Sequence, residues 1–476
     1  MSERKEHCTL TRPALVSILI CVLCVSAVLL TENGCGSSGP RIQHVVIVFQ
    51  ENRTPDNLFQ DPVLIARGAD IVNRGVNSKG ETIPLTEIGL GTNGPSPDLY
   101  DLSHAHQAFL QMCNLKQSTN ECAMDGADRI YVKCSEGSSA CLPTNPQFKY
   151  VSPSEVQPYF QLAEQYTFAD RMFQTNQGPS FPAHQFILSG TSAPTATSNL
   201  FAAENPLNTG QTGCIAPPGE TVYMIDPSGQ ESKSQYPCFE HPTLTDLLNS
   251  NGVNWRYYTP GAGSIWTAPN AIQHMCGPNA TPPNATKCVG ADWTHNVVVA
   301  TPQNPASVLI DIANKQLPAV SWVIPSGANS DHASLNEGKG PSWVAAIVNA
   351  IGNSPYWDNT VIFITWDDWG GWYDHVPPPQ IINSYEYGFR VPLIVVSPYA
   401  KPGYISHTTH DFGSILKFVE VTFDLPSLGY ADARADDLSD CFNFRQQPLR
   451  FQTVAAPLNA DYFLNDRRPP TDPDDD

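Results

Sequence analysis

Three short polar segments each follow an apolar, β-branched run of the chain. Glu51 and Asn52 follow HVVIVFQ, Asp367 and Asp368 follow TVIFITW, and His332 closes a Ser-Asp-His triplet shortly after PAVSWVI. Carboxylate and amide oxygens suit a divalent cation, and two adjacent aspartates repel each other unless a cation lies nearby. An imidazole can hold an anion or move a proton near neutral pH. If the fold brings the three segments together, they indicate metal-assisted chemistry.

The apolar runs predict buried strands, and helical patterns lie between them. The predicted strands are 41–49, 318–324, 360–366 and 391–397, and the predicted helices are 155–166, 182–189, 243–250, 341–353 and 412–422. Strands that alternate with helices predict an α/β fold with a doubly wound, mainly parallel sheet flanked by helices. Ligands bind beyond the carboxyl ends of such strands, where the polar segments fall. The loop-rich stretches 70–100, 114–148, 192–240 and 257–306 are predicted to be insertions over the sheet edge.

Composition excludes several classes of protein. The chain has 476 residues, of which 41% are hydrophobic, and this excludes wholesale disorder. It has 26 Lys and Arg against 46 Asp and Glu, a formal net charge of −20. A surplus of negative charge disfavours binding to nucleic acid and electrostatic docking on anionic membranes. We therefore expect no nucleic-acid partner.

The N-terminal segment 1–35 has the pattern of an export signal. Basic residues precede an uncharged apolar run at 13–30, and a stretch of small residues follows. That run is long enough to remain as a membrane anchor, so cleavage is left open. We expect the protein to be exported and periplasmic, secreted or anchored in the envelope.

Nine cysteines lie beyond residue 35, most of them in the loop-rich stretches. Export favours disulfides that staple these loops. Close spacing suggests local bridges such as Cys276–Cys288, although the sequence does not fix the connectivity. Because nine is odd, at least one thiol stays unpaired within the chain.

Four segments in order, ENRTPDN, GPSFPAHQFILSG, SDH and WDDWGGWYDHVPPP, resemble the phosphoesterase family that includes bacterial phospholipases C and an acid phosphatase branch. That family belongs to the alkaline phosphatase superfamily. The resemblance runs from about residue 42 to residue 445. It implies an alkaline phosphatase-like fold, one divalent metal ion and a hydroxyl nucleophile that is transiently phosphorylated.

The resemblance also implies roles for individual residues. The metal ligands would be Glu51, Asn52, Asp367 and Asp368, and the nucleophile would be Ser180. The histidines that hold the phosphate would be His332, His274 and His104, with His106 as a rival for the place of His104. The physics agrees with this scheme, because a cation and a helix N-terminus both stabilise the alkoxide of a serine.

The chain departs from the family pattern at two places. Pro55 stands where an aromatic residue is usual, and Ala183 and His184 follow the Pro after the nucleophile where an Asn is usual. Neither change removes a predicted ligand or the nucleophile. We predict that His184, His241 and His295 are surface or structural residues, that His375 has a structural hydrogen-bonding role, and that His407 and His410 cap or lie at the surface.

The predicted protein is an exported, metal-dependent hydrolase of phosphoric esters, acid phosphatase-like and acting through a phosphoserine. The alternatives are a phospholipase C that cleaves phosphatidylcholine-type lipids and a catalytically silent binding protein of the same fold. A carboxylester hydrolase is disfavoured because no GxSxG elbow occurs. We predict a catalytic domain at 41–455 and an acidic tail at 456–476, disordered at its end. The oligomeric state and the metal are not predicted.

Overall fold

A mainly parallel sheet of eight strands organises the protein. The structure is a computed structural model that describes residues 42–91, 97–134, 143–208, 210–334, 336–379 and 383–471. The strands are β1 His44–Gln50, β2 Thr167–Ala169, β3 Trp255–Thr259, β4 Val297–Val299, β5 Val320–Val323, β6 Thr360–Trp366, β7 Leu393–Val396 and β8 Tyr404–Ser406. Their order across the sheet is β4-β3-β5-β1-β6-β7-β2-β8.

Strands β5, β1 and β6 form the centre of this sheet and are parallel to one another. Val45 pairs with Val320 on one side and with Val361 on the other. All seven residues of β6 are buried, as are six of the seven residues of β1, which explains their continuous apolar sequence. β7 runs antiparallel to both its neighbours, so the sheet is mixed at that position. The predicted doubly wound α/β architecture is confirmed.

Helices flank the sheet in two groups. The longer helices and one short C-terminal helix are α1 His106–Cys113, α2 Gln157–Gln165, α3 Ser180–Ser189, α4 Leu244–Ser250, α5 Ser307–Ala313, α6 Gly340–Gly352, α7 Phe412–Thr422 and α8 Ala460–Asn465. Shorter ones are Pro55–Leu58, Pro62–Ala66, Ala268–Ala271, Gln273–Cys276, Ala291–Asn296 and Ala431–Arg434. Helix α6 contacts α2, α5 and α8, whereas α3 contacts α4 and α7.

The predicted insertions are more ordered than loops. Short strands pair within them: Arg74–Val76 with Thr82–Pro84, Thr86–Ile88 with Lys149–Val151, Tyr100–Leu102 with Val132–Cys134, Leu115–Lys116 with Glu121–Cys122, and Val222–Ile225 with Phe201–Ala202 and Lys233–Gln235. Met172–Phe173 pairs with His410–Asp411. The prediction of an insertion at 257–306 was wrong in part, because β4 and most of β3 belong to the main sheet. β4 is only half-buried at the sheet edge, which makes its sequence pattern weak.

Disulfides join Cys113 to Cys122, Cys214 to Cys238 and Cys276 to Cys288. The predicted local bridge Cys276–Cys288 is confirmed. Cys441 is a free, buried thiol, in agreement with the odd number of cysteines.

The C-terminal segment is anchored to the domain rather than set apart from it. Phe463 of α8 is buried and packs edge-on against Trp343, with ring centroids 5.1 Å apart. The side chain of Arg467 donates to the carbonyls of Pro302 and Gln303, and Thr471 bonds to the backbone of Ala328. The described residues therefore pack against the domain as far as residue 471, and the boundary at 455 stays a prediction.

The N-terminal export segment falls outside the described residues. Within the described part of the chain, no helix has the length and apolar character needed to cross a bilayer.

Candidate active site

Three buried carboxylates meet beyond the carboxyl ends of β1 and β6. Gln50 pairs with Trp366 in register, so the residues that follow, Glu51 and Asp367, leave the sheet side by side. Glu51, Asp367 and Asp368 are all fully buried. Burial, reinforced by the charge of Asp367, raises the pKa of Asp368 well above its ordinary value. We call these three residues the acid cluster.

Asn52 links the acid cluster to the turn that follows β6. Its backbone N–H donates to Asp367 Oδ1 at 3.0 Å, and its φ is +61°. The turn returns to Asn52 through Gly370, where an added Cβ would lie 2.3 Å from the Asn52 carbonyl oxygen. Gly370 also has a φ of +62°, and its N–H donates to Asp368 Oδ1 at 2.7 Å. Glycine at residue 370 is thus required for the close approach of this turn to Asn52.

The side-chain amide of Asn52 lies between the acids and two histidines. One of its terminal atoms lies 3.2 Å from Glu51 Oε2 and 3.0 Å from Asp367 Oδ1, and the other lies 3.0 Å from His104 Nε2 and 3.2 Å from His332 Nε2. With its oxygen towards the acids, the amide nitrogen faces His104 and the oxygen can ligate a cation; with the amide reversed, its hydrogens face the carboxylates. The orientation of the amide therefore depends on whether a cation is bound.

His104 and His332 lie on the far side of that amide, with their ring centroids 6.0 Å apart. Each Nδ1 faces a backbone carbonyl: Leu102 for His104 at 2.8 Å and Ala333 for His332 at 2.7 Å. A carbonyl oxygen only accepts, so both Nδ1 atoms carry a proton. Nε2 of each ring faces the Asn52 amide, and Nε2 of His104 also lies 3.7 Å from Asp368 Oδ2. Two imidazoles placed in this way can hold an anion when they are protonated.

Ser180 is the first residue of α3 and faces the acid cluster. It is fully buried, and its Oγ donates to Asp368 Oδ2 at 3.3 Å. Pro182 lies inside the first turn of α3, where its missing N–H costs no hydrogen bond. Gly178 precedes this turn because a Cβ there would lie 2.1 Å from both the Ala203 carbonyl oxygen and the Tyr385 hydroxyl. The serine hydroxyl therefore lies at a helix N-terminus beside the carboxylate of Asp368.

His184 lies one turn further along α3 and also reaches the acids. Its Nε2 is 3.2 Å from Glu51 Oε1 and 4.0 Å from Asp367 Oδ2. Burial lowers its pKa to about 4, against the opposing effect of Asp367, so the ring is neutral at pH 7. His184 is fully buried, so the prediction that it could lie at the surface was wrong. The helical spacing from Ser180 was the signal that could have found it.

These residues fit a divalent cation. Glu51, His184 and Asp367 each offer a ligand atom, all within 4.8 Å of one another. Asp367 Oδ2 is buried and has no hydrogen-bond partner among the described residues. A buried carboxylate oxygen without a partner is costly unless a cation satisfies it. Oxygen donors of this kind are the ligands that hard divalent ions take.

A model of the phosphoesterase family matches residues 42–426 of the chain. The protein belongs to the phosphoesterase family. It is a hydrolase that acts on phosphoric ester bonds.

Curated relatives of this phosphoesterase are similar over most of its length. Phospholipase C A of Mycobacterium tuberculosis is 24% identical over 450 residues, which cover 86% of this chain and 78% of the relative. A non-hemolytic phospholipase C of Burkholderia pseudomallei is 30% identical over 468 residues, covering 85% of this chain and 59% of that protein. Non-specific phospholipase C3 of Arabidopsis thaliana is 22% identical over 403 residues, covering 79% and 67%.

Solved structures are more distant. A protein in the alkaline phosphatase superfamily from Vibrio parahaemolyticus matches with a TM-score of 0.32 and 12% identity, over 66% of this chain and 78% of that one. A likeness of this size supports no conclusion about the site, and the fold stands on the sheet described above.

The structure brings most of the predicted site residues of the phosphoesterase together. Ser180, Glu51, Asn52, Asp367, Asp368, His104 and His332 form one connected network. His274 is an exception: it is part-exposed, and its Nδ1 and Nε2 face Glu240 at 2.7 Å and Asp246 at 3.3 Å. Hydrogen bonding to Asp246, with a smaller opposing effect of burial, raises the pKa of His274 to about 9. None of the contacts described for His274 involves the acid cluster, so its predicted phosphate-holding role is not supported.

His106 does not take the place of His104. It pairs with Glu231 and bonds to Gln177 at 3.1 Å. Asp331, the residue before His332, accepts from the Tyr159 hydroxyl at 2.8 Å and from Trp366 Nε1 at 3.0 Å. Burial raises the pKa of Asp331 to about 6.

Arg53 positions the loop that carries His332, a role that the sequence did not reveal. It is fully buried and donates to the Asp331 carbonyl at 2.8 Å and to Asp98 at 3.0 Å. Its guanidinium lies 5.0 Å from the ring centroid of Trp372. The ENR segment therefore supplies two residues to the site and one to its support.

Proposed function

We propose that the protein is an exported, metal-dependent phosphoesterase that cleaves small phosphomonoesters through a phosphoserine on Ser180. The observation that carries this proposal is the place of the Ser180 hydroxyl, at the first position of α3 and 3.3 Å from Asp368 in a buried acid cluster. A serine in this position can attack phosphorus and be regenerated by water.

The residues of the chain divide the work of the reaction. Ser180 Oγ attacks, and its hydroxyl proton already points at Asp368 Oδ2. His104 and His332, in their protonated forms, hold the oxygens of the transferring phosphoryl group. When bound, a divalent cation at the acid cluster lowers the pKa of a nearby hydroxyl and neutralises developing charge. One of the two imidazolium groups can then donate a proton to the leaving alkoxide.

An acid phosphatase-like activity follows if His104 and His332 hold the phosphoryl oxygens as imidazolium ions. A free imidazole loses its second proton near pH 6.5. If turnover needs both positive charges, the rate falls as the pH rises above the pKa values of these rings. An optimum below neutrality follows.

A phospholipase C activity on phosphatidylcholine-type lipids is the second candidate, and a cavity favours it. The cavity has a volume of about 430 Å³ and is lined by Pro179 and Ser103, the residues just before Ser180 and His104. Leu207 and Tyr131, which also line it, are 53% and 71% exposed. An apolar rim next to the nucleophile could contact a lipid, and the curated relatives named above are phospholipases C.

The three disulfides support export, because such bonds form and persist in oxidising compartments. The basic and apolar segment at 1–35 agrees with this. Cell fractionation, with the N-terminus of the mature protein determined by mass spectrometry, tests export and cleavage together.

Turnover of p-nitrophenyl phosphate and of p-nitrophenyl phosphocholine, each with and without a chelator, tests the proposed reaction. We expect chelator-sensitive hydrolysis with preference for the monoester. Preference for the phosphocholine ester would favour the phospholipase, and chelator-resistant turnover would overturn metal dependence. Metal analysis of Glu51→Gln, Asp367→Asn and Asp368→Asn, expected to show lower occupancy, tests the ligands.

A further inference from the structure

Helix α3 directs two polar side chains at the acid cluster, and the proposed reaction uses only one of them. Ser180 and His184 are four residues apart, so they lie on the same face of the helix. Ser180 Oγ reaches Asp368 Oδ2, and His184 Nε2 reaches Glu51 Oε1 at 3.2 Å. The imidazole faces Oε1 of Glu51, whereas the amide of Asn52 lies 3.2 Å from Oε2.

Two carboxylates from different strands converge on the single atom His184 Nε2. Glu51 follows β1 and Asp367 follows β6, and their facing oxygens lie 3.2 Å and 4.0 Å from this nitrogen. A neutral imidazole with a proton on Nε2 satisfies one carboxylate oxygen and leaves Asp367 Oδ2 without a partner among the described residues. A cation between the three atoms would satisfy all of them.

The surroundings of His184 leave Nε2 as the ring nitrogen that faces polar groups. Its ring packs edge-on against Phe49 at 4.8 Å and lies parallel to Trp266 at 6.3 Å. Nδ1 is buried and has no hydrogen-bond partner in the described residues. An imidazole held so tightly among aromatic rings, with one nitrogen unsatisfied, needs a strong interaction at the other nitrogen to offset the cost.

We infer that His184 Nε2 is a nitrogen ligand of the cation held by Glu51 and Asp367. The site is then of mixed nitrogen and oxygen type, and it selects Zn²⁺ or Co²⁺ over Ca²⁺ and Mg²⁺, because imidazole suits the former ions and oxygen-only sites suit the latter. This inference rests on the metal dependence in the proposed function, but it concerns which atoms hold the ion and not whether phosphate esters are cleaved.

Pulsed electron paramagnetic resonance of the full-length protein, loaded with one equivalent of Mn²⁺, tests the nitrogen ligand without any assay of turnover. Wild-type protein prepared with ¹⁴N-histidine and with ¹⁵N-histidine should show nitrogen coupling that changes with the isotope. His184→Gln should lose this coupling, whereas His332→Gln, a matched variant of a histidine in the same site, should keep it. Coupling that persists in His184→Gln, or that is absent in the wild type, overturns the inference.

Competitive metal binding gives a second, independent measurement. The affinity of His184→Gln for Zn²⁺ should fall at least about tenfold, since even partners outside the ligand set change metal affinity by that much. Its affinity for Ca²⁺ should be unchanged or higher, and a parallel loss for both ions would overturn the nitrogen ligand. If His184→Gln does not fold, nitrogen coupling in the wild type that persists in both His104→Gln and His332→Gln supports the inference. Absence of that coupling in the wild type, or its loss in either variant, overturns it.

The two proposals fail in different ways. Metal bound without nitrogen coupling removes His184 as a ligand and leaves the metal-dependent phosphoesterase intact. Failure to trap phosphate on Ser180 rejects the proposed mechanism even when nitrogen coupling is present.

Discussion

At the scale of single residues, Asn52 decides how the site is arranged. Its left-handed backbone turns the chain just after β1, and its amide bridges the acid cluster and the two imidazoles of His104 and His332. A hydroxyl nucleophile and a phosphoryl group need both kinds of neighbour, one to hold a cation and one to hold an anion. The arrangement gives each side of the amide a separate task, which substitutions can distinguish.

Ser180→Ala should abolish turnover and the trapping of labelled phosphate on the protein, because it removes the hydroxyl that lies at the start of α3 beside Asp368. Far-UV circular dichroism should be unchanged. Ser189→Ala, at the other end of the same helix and equally buried, is the control and should retain activity. Label that persists in Ser180→Ala would identify another residue as the nucleophile.

His332→Gln should keep its metal and its fold but turn over roughly 100-fold more slowly, about 2.7 kcal/mol, the typical contribution of one electrostatic donor to a transition state. Its pH–rate profile should also lose dependence on one of the two imidazolium groups. Steady-state rates from pH 4 to pH 9, with metal analysis of the same samples, measure both effects. Near-normal rates would show that His332 is structural.

At the scale of elements, two short segments carry the precision of the site: the first turn of α3 and the turn after β6. The turn after β6 carries Trp369 and Trp372. Both side chains pack into a small hydrophobic core that is shared with the insertion containing Cys113 and Cys122. The insertion therefore supports the turn that presents the acids. The close contact between this turn and Asn52 depends on the absence of a side chain at residue 370.

Gly370→Ala should lower both stability and activity. The new Cβ would lie 2.3 Å from the Asn52 carbonyl oxygen and would require a φ of +62°, so the loss should exceed about 1 kcal/mol. Gly229→Ala is the matched control, because its φ is +79° but no atom lies within 4 Å of the new Cβ. Urea unfolding and turnover of both variants separate the clash from the backbone strain; equal losses would exclude a role for the contact.

At the scale of the whole molecule, a buried charge network ties distant parts of the chain together. Arg390 bonds to Asp374 at 2.8 Å and to Asp56 at 3.4 Å, and His375 joins Asp56 at 2.7 Å to Asp70 at 2.9 Å. Burial alone would lower the pKa of His375, but hydrogen bonding and the charge of Asp56 raise it to about 9. The predicted structural role of His375 agrees with these contacts.

His375→Gln should destabilise the protein at pH 6 by about 2 kcal/mol, the value of a hydrogen bond to a charged group. The folded pKa is raised above the unfolded value of 6.5, so this stability is fully present below pH 6.5 and is lost as the pH rises through about 9. The difference from the wild type should therefore shrink by pH 10. Urea unfolding at both pH values measures it.

His407→Gln is the control for that experiment, since its ring is 57% exposed although it also contacts a carboxylate. Its effect should stay below ~1 kcal/mol, as for other exposed ion pairs. A difference for His375→Gln that is the same at pH 6 and pH 10 would show that packing, and not charge, accounts for it.

Phe463→Ala should lower the free energy of unfolding by about 3 kcal/mol, the lower range for loss of a buried aromatic side chain. Phe463 is only 2% exposed and contacts Trp343 of α6. Asn465→Ala, at the exposed end of the same short helix, should have little effect. Equal stability of the Phe463 variant and the wild type would favour the predicted boundary near residue 455.

The sequence alone determined which strands form the centre of the sheet and which acids follow them. Continuous apolar runs are strong signals where both faces of a strand are buried, as in β1 and β6, and the carboxyl ends of parallel strands must share an edge. The motif around Ser180 is specific, so the family resemblance also predicted this residue as the nucleophile. These features are visible in short stretches of the sequence and need no knowledge of long-range contacts.

Only the tertiary structure decided which side chains meet. His184 and His274 have equally ordinary neighbours in the sequence, yet one is buried against Glu51 and the other pairs with Glu240 near the surface. The amide of Asn52 contacts His104 and His332, which lie 52 and 280 residues further along the chain. Contacts of this kind arise from how helices and turns pack on the sheet, and no local periodicity encodes them.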